Sequence, residues 1–197
     1  MSFSDLTFLF YFLPLFFAVY YIVPFRFKNT VLVLGSAAFY FLGAGVRDCV
    51  LLGASVVLHY ALARGMEGRT VRARRALLVF GLCVDLFGLV YFKYAAFLLE
   101  NLGKLTGTAF SLVELALPLG ISFYLFQSVG YLIDVSRGRP AEKSFVDFSA
   151  FVLAFPQLTM GPILRYDEWR GALKSRTIAR EDVFLGFERF LVGLCFK

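Results

Sequence analysis

The run ALLVFGLCVDLFGLVYFKYAAFLL, residues 76–99, holds only Asp85 and Lys93 as charges and follows directly on the arginine-rich VRARR of residues 71–75. A helix rises ~1.5 Å per residue, so ~20 mostly apolar residues cross the ~30 Å hydrocarbon core of a bilayer. This run predicts a membrane-crossing helix, and three more precede it: Leu6–Val23 with Pro14 inside, Thr30–Ala44, and Cys49–Ala63. The second is short and gains reach if Arg26-Phe27-Lys28 snorkels toward the headgroups. A fifth spans Leu115–Val135, with Pro118 near its start.

The whole composition agrees. Of 197 residues 59% are hydrophobic and 17% charged, with a mean hydropathy of +0.74. A soluble domain carries about 25% charge, so much of this surface needs an apolar solvent. Twenty-five Phe suit lipid-facing helix surfaces and ten Tyr suit the headgroup level. The net charge of +6 sits between apolar runs and reads as a topology determinant, with no nucleic-acid partner expected. Cys49, Cys83 and Cys195 have no metal-ligand spacing and read as small apolar residues, so no metal is expected. The first apolar run has no basic residue before it and no small-residue cleavage pattern after it, so it reads as a retained helix.

Lys and Arg in short loops mark the cytoplasmic side. The loop after the third helix holds Arg64, Arg69, Arg72, Arg74 and Arg75 against one acid, Glu67. Arg26 and Lys28 follow the first helix, and Arg137, Arg139 and Lys143 follow the fifth. The loop after the fourth, with Glu100, Lys104 and Glu114, has little positive bias. All four loops agree with an N-terminus outside the cytoplasm.

Beyond residue 136 the pattern changes. Gly138 and Pro140 break the chain, and Phe145–Leu164 is apolar but interrupted by Pro156, Gly161 and Pro162. That interruption predicts a broken or re-entrant helix shielded by protein, because irregular backbone at membrane depth needs partners other than lipid. Residues 165–182 are polar, and a last apolar helix from Val183 runs to Lys197 without a stop signal, which leads us to expect a truncated chain. Gly35, Gly53, Gly81 and Gly88 are expected at close helix contacts.

Polar groups within apolar helices are functional candidates because their burial is costly. Asp85 and Lys93, eight residues apart, share a face of an ideal helix; they either line a polar cavity or serve as an interhelical hydrogen bond and a snorkelling lysine. Gln127, Tyr131 and Asp134 step by four and three along one face of the fifth helix. His59 has no Ser, Cys or Asp placed to make a triad readable from sequence and reads as a hydrogen-bonded helix residue. Arg165 and Tyr166, just past the Gly161-Pro162 break, read as an interfacial anchor, with an anion grip as the functional alternative.

Two segments, GISFYLFQSVGYLIDVSRG (Gly120–Gly138) and FPQLTMGPILRY (Phe155–Tyr166), resemble the membrane-bound O-acyltransferase family in its bacterial polysaccharide branch, which handles alginate O-acetylation and teichoic-acid D-alanyl transfer. FSDLTFLFYFLPLFFAVYY (Phe3–Tyr21) and VDLFGLVYFKYAAF (Val84–Phe97) are similar to it as well. The resemblance implies an all-α, polytopic membrane fold of which residues 1–197 form the N-terminal part of one domain. It implies transfer of acetyl, or another small acyl group, from acetyl-CoA or a carrier-linked donor to an exopolysaccharide hydroxyl, alginate-type by preference. A bacterial inner-membrane location and a periplasmic or extracellular polysaccharide-modifying partner follow from it, with no bound cofactor.

The resemblance places the family's catalytic histidine in a later helix than this chain holds. His59 does not match that motif, no catalytic residue is assigned here, and the chain alone is expected to be inactive. Gln127, Tyr131, Asp134, Gly161, Pro162, Arg165 and Tyr166 are the expected scaffold or tunnel-lining residues. Ser136 stands where the family shows Tyr before the Arg-Gly pair, and His59 departs from a nearby Asn. A transporter or channel component, or a non-catalytic membrane fragment, stays open as an alternative; a transporter should show matched broken helices in two halves, and one is visible.

Overall fold

A computed structural model describes residues 5–106, 117–158, 161–162, 164–176 and 180–196, all of them helical or in connections, with no strand among them. A π-helical turn, Phe8–Phe12, leads into α1 (Leu13–Ile22), with Pro14 in the first turn of α1. Proline lacks an N–H to donate, and the wider π turn before it accommodates that loss. A 3-10 turn at Phe25–Phe27 then runs straight into α2 (Lys28–Met66), so the basic Arg26-Phe27-Lys28 extends the second helix as expected.

α2 is two helices, not one. Gly45 interrupts it at φ 84, ψ 179, a left-handed φ that glycine adopts without a Cβ clash. Along a straight helix residues 29 and 60 would stand ~46 Å apart. Yet Asn29 donates to Asp147 Oδ1 at 2.7 Å, while Tyr60 donates to the Lys143 carbonyl at 2.6 Å and packs on the Phe145 ring. Two positions that far apart can reach one segment, residues 143–147, only if the chain folds back at Gly45. The arms correspond to the expected helices at Thr30–Ala44 and Cys49–Ala63.

α3 (Val71–Leu89), a second π turn (Val90–Tyr94) and α4 (Ala95–Thr106) form one continuous helical run. The expected end at Leu99 is therefore too early: Glu100 and Lys104 lie in α4 and pair one turn apart, and Glu114 lies outside the described residues. The π turn also corrects the reading of Asp85 and Lys93 as face-sharing. Asp85 is buried at 5% exposure, whereas Lys93 is exposed beside the Tyr94 ring; the extra residue of a π turn rotates everything beyond it.

α5 (Ile121–Ser136) starts later than expected, after a turn at Pro118–Gly120. Residues 115–116 lie outside the described set. α6 (Phe145–Leu153) and α7 (Phe155–Leu158) are the broken helix, parted at Ala154. α8 (Tyr166–Lys174) is a helix that the polar composition of 165–182 hid, although Tyr166, Trp169 and Leu173 repeat at helical spacing. α9 (Arg180–Cys195) is exposed along its length and faces α1 across an apolar groove lined by Leu13, Phe17, Phe187 and Phe190.

The arms of α2 pack against α5 and α6, and α3 packs against both α2 and α5. Tyr40, Val56, Met66, Leu132, Phe148 and Phe151 lie in this core, and Phe8, Phe16, Phe39 and Phe155 make an aromatic cluster where α1 meets the first arm and α7. Of the four expected packing glycines, Gly35 sits against the Phe16 ring and Gly81 between Leu62 and Leu132; Gly53 and Gly88 touch nothing this close. Two helices are long and apolar enough to cross a membrane, Phe25–Met66 at mean hydropathy 1.7 and Val71–Tyr94 at 1.9. Only 11% of either apolar window is buried, so these helices turn apolar surface outward, unlike the core helix of a soluble domain.

Candidate functional site

α5 carries a polar column through the core. Near its middle, Gln127 is 4% exposed and donates from Nε2 to the Phe151 carbonyl at 2.9 Å, with Gln157 Oε1 at 3.5 Å. The chemistry of the break explains this. In an unbroken helix Phe155 N would serve the Phe151 carbonyl; here Phe155 N donates to Ser36 Oγ at 3.1 Å. Gln127 and Ser36 thus satisfy the backbone groups that the break releases, which is the condition for irregular backbone in an apolar setting.

Gly161 closes the same region. Its N–H donates to the Gln157 carbonyl at 3.1 Å, and a Cβ there would stand 2.4 Å from Gln157 Cα. Gly161→Ala is therefore expected to lose about 1–3 kcal/mol by displacing the α7 backbone. Gly130→Ala, where a Cβ meets nothing within 4 Å, should be neutral or gain up to ~1 kcal/mol of helix propensity. Thermal unfolding in detergent compares the two; equal melting points would refute the close contact.

At the end of α5 the column meets a buried carboxylate that sequence reasoning missed. Glu142, 6% exposed, lies in the loop to α6. Its Oε1 accepts from the N–H groups of Lys143 and Ser144 at 2.9 and 3.1 Å. Its Oε2 accepts from Tyr166 Oη at 2.6 Å and Lys174 Nζ at 2.8 Å. Its own N–H donates to Tyr131 Oη at 2.7 Å, and the Tyr131 and Tyr166 rings meet edge to face at 5.2 Å. Burial works to raise the Glu142 carboxyl, but the bonds from Lys174, Tyr166 and Ser144 outweigh it and hold the carboxyl at about 2. Burial, then the bond to that carboxylate, pushes the Tyr166 phenol up, so it stays a donor. With its acceptor positions filled, Glu142 is a latch joining α5, the loop and α8 rather than a proton-transfer group. A lone acid beside Gly138-Arg139-Pro140 reads as a solvated turn, so no sequence signal marked it.

His59 gains two partners. Nε2 lies 2.9 Å from Asp85 Oδ2 on α3; Nδ1 lies 2.7 Å from the Ser55 carbonyl and 3.3 Å from Ser55 Oγ. The set has the membership of a Ser-His-Asp triad but not its chemistry. A carbonyl only accepts, so Nδ1 carries a proton and cannot take one from Ser55 Oγ. His59 is 0% exposed, which leaves a substrate no approach. The arrangement is the interhelical hydrogen bond that was one of the two readings of Asp85.

Among the expected site residues, then, Tyr131 and Tyr166 converge on Glu142, while Gln127 and Gly161 meet at the helix break. Asp134 is half-buried on α5 and its side chain joins neither group; Pro162 is exposed, and Arg165 is exposed at the start of α8. Among the described residues no group of three or more His, Cys, Asp or Glu could hold a metal ion.

Helices that turn apolar surface outward around a satisfied helix break and a polar column fit a membrane protein, the class that the motifs suggest. The comparisons narrow the class. The chain is 39% identical over its whole length to the probable alginate O-acetylase AlgI of Azotobacter vinelandii, covering 41% of it. It is 41% identical over its whole length to the corresponding protein of Pseudomonas putida, covering 42%. A peptidoglycan O-acetyltransferase of Helicobacter pylori is 30% identical over 98% of the chain and 43% of its own length. Over its whole length the chain is similar to alginate O-acetylases and fits their family of membrane-bound O-acyltransferases. It spans about two fifths of the length of these curated relatives. No protein-family model and no solved structure matches it.

Proposed function

We propose that the protein acts in transferring acetyl groups to hydroxyls of an exported polysaccharide, alginate-type in preference to peptidoglycan. The observation that carries this is the identity of about two fifths to relatives named alginate O-acetylases over every part of the chain, against 30% to the peptidoglycan enzyme. In this reading the helices cross the bacterial inner membrane several times with the N-terminus outside. The end bearing Arg64, Arg69, Arg139 and Lys174 faces the cytoplasm, in line with the positive-inside rule.

The donor is acetyl-CoA or a carrier-linked acyl group, and a periplasmic acyltransferase is the expected partner. The residues of this chain position rather than react. Gln127 and Gly161 hold the broken helix, and Tyr131, Tyr166 and Glu142 fix the cytoplasmic end. A rigid apolar wall of this kind keeps water from a reactive acyl donor. A hydroxyl acceptor needs a general base within hydrogen-bond reach, and no residue here is assigned that role.

Disrupting the gene in its host tests the reading. The expected result is exported polysaccharide with its O-acetyl esters lost, measured by proton NMR. Unchanged ester content, or loss from peptidoglycan alone, would overturn it.

A further inference from the structure

We infer that the cleft between the end of α1 and α8 binds the phosphate diester of a membrane phospholipid through Arg176 and Lys28. The inference rests on the membrane reading above and adds a ligand to it. The cleft has a volume of 370 Å³ and is lined by Tyr20, Leu32, Leu164, Trp169, Ala172 and Arg176, with Glu168 at its wall.

Arg176 is held in place there by three neutral acceptors. Nε donates to the Ala172 carbonyl at 2.6 Å, one Nη to Asn29 Oδ1 at 2.7 Å, and the other Nη to Tyr20 Oη. A guanidinium has five N–H groups, so one on each terminal nitrogen remains, a fork suited to two phosphate oxygens. Lys28 Nζ lies over the other reach of the same aromatic pair, 5.2 Å from the Tyr20 centroid and 5.7 Å from Tyr21; the Arg176 guanidinium carbon is 5.6 Å from Tyr20.

Two cations therefore share one ring, and among the described residues neither forms an ion pair. Asp147 accepts from Asn29 Nδ2, and Glu168, exposed at the cleft wall, forms an ion pair with neither cation. An anion between the two cations relieves their repulsion. A lipid headgroup is the source that fits the surroundings: Tyr20, Tyr21 and Trp169 are the residues of a headgroup-level belt, Leu32, Leu164 and Ala172 give the cleft apolar walls, and basic pockets between helices on the cytoplasmic side suit anionic heads. The anion grip that Arg165 suggested in the sequence thus falls to Arg176, one end of α8 further on.

Native mass spectrometry of the purified full chain in detergent tests this, with dioleoyl phosphatidylglycerol against dioleoylglycerol, which has the same chains and no phosphate. The expected result is a one-lipid adduct for the phospholipid at least ~10-fold above the diacylglycerol. Arg176→Gln should cut it ~10-fold and Lys28→Gln ~3-fold. Arg170→Gln, an exposed α8 cation outside the cleft, should leave it unchanged. Arg176→Gln also unties Tyr20 and Asn29, so Lys28→Gln, which removes a cation held only over rings, decides if that variant misfolds. Equal adducts with both lipids, wild-type binding by Lys28→Gln, or displacement of the lipid by coenzyme A would each overturn the inference. Failure of the chain to enter lipid vesicles would sink the membrane reading as well; entry without a phosphate-dependent adduct sinks this inference alone.

Discussion

Asp85→Ala is expected to cost about 3–5 kcal/mol of folding stability, the usual penalty for removing one partner of a buried pair. The pair joins the second arm of α2 to α3 in a setting where His59 is 0% and Asp85 5% exposed. With Nδ1 committed to the Ser55 carbonyl, Nε2 is left to the Asp85 carboxyl as its one partner among the described residues. Removing Asp85 leaves the Nε2 of a fully buried ring without that partner. The double variant His59→Leu/Asp85→Leu removes both polar groups together and should recover most of the loss. Ser55→Ala should shift stability by less than ~0.5 kcal/mol, because its carbonyl rather than its hydroxyl holds the histidine. Unfolding followed by circular dichroism across a dodecyl sulfate titration reads all three; a double variant as unstable as Asp85→Ala would show that the two groups are not coupled.

The second large effect centres on Glu142. Its carboxyl lies at about 2 in the folded chain against an ordinary 4.5. A depressed carboxylate contributes stability that is whole above pH 4.5 and is lost as pH falls from 4.5 toward 2. The displacement corresponds to on the order of 3 kcal/mol at about 1.4 kcal/mol per unit, an upper figure because the Lys174 side chain is 43% exposed and partly screened. Glu142→Gln should lose a similar amount at pH 7 and flatten the pH dependence between 4.5 and 2. Unfolding midpoints of both proteins over pH 5 to 2 check this; parallel curves would show that the latch does not titrate. The α5–α6 loop and α8 should loosen together, since Tyr166 and Lys174 both depend on the one carboxylate.

Helix by helix, the apolar runs declared themselves. Thr30–Ala44 and Cys49–Ala63 were readable as separate segments because glycine and the charged Arg47-Asp48 pair interrupt the hydropathy, and the fold-back at Gly45 follows. The break near Pro156 was readable because proline removes a donor. Element ends were less legible. The run through Tyr94 continues to Thr106 because a π turn absorbs the phase change, and α8 hid in a stretch whose apolar stripe is three residues wide. Gln127, Tyr131 and Tyr166 stood out as polar groups in apolar company, while Glu142, lying among other turn residues, had no contrast to give it away.

What local sequence determines here is the set of apolar segments, their breaks and the basic loops between them, because hydropathy and backbone propensity act within a few residues. Which residue meets which was decided only by packing. His59 and Asp85 are 26 positions apart, Glu142 and Lys174 are 32, and Tyr20 and Arg176 are 156. A hydrogen bond extends about 3 Å, so partners separated this far along the chain are specified only once the helices between them have taken their places.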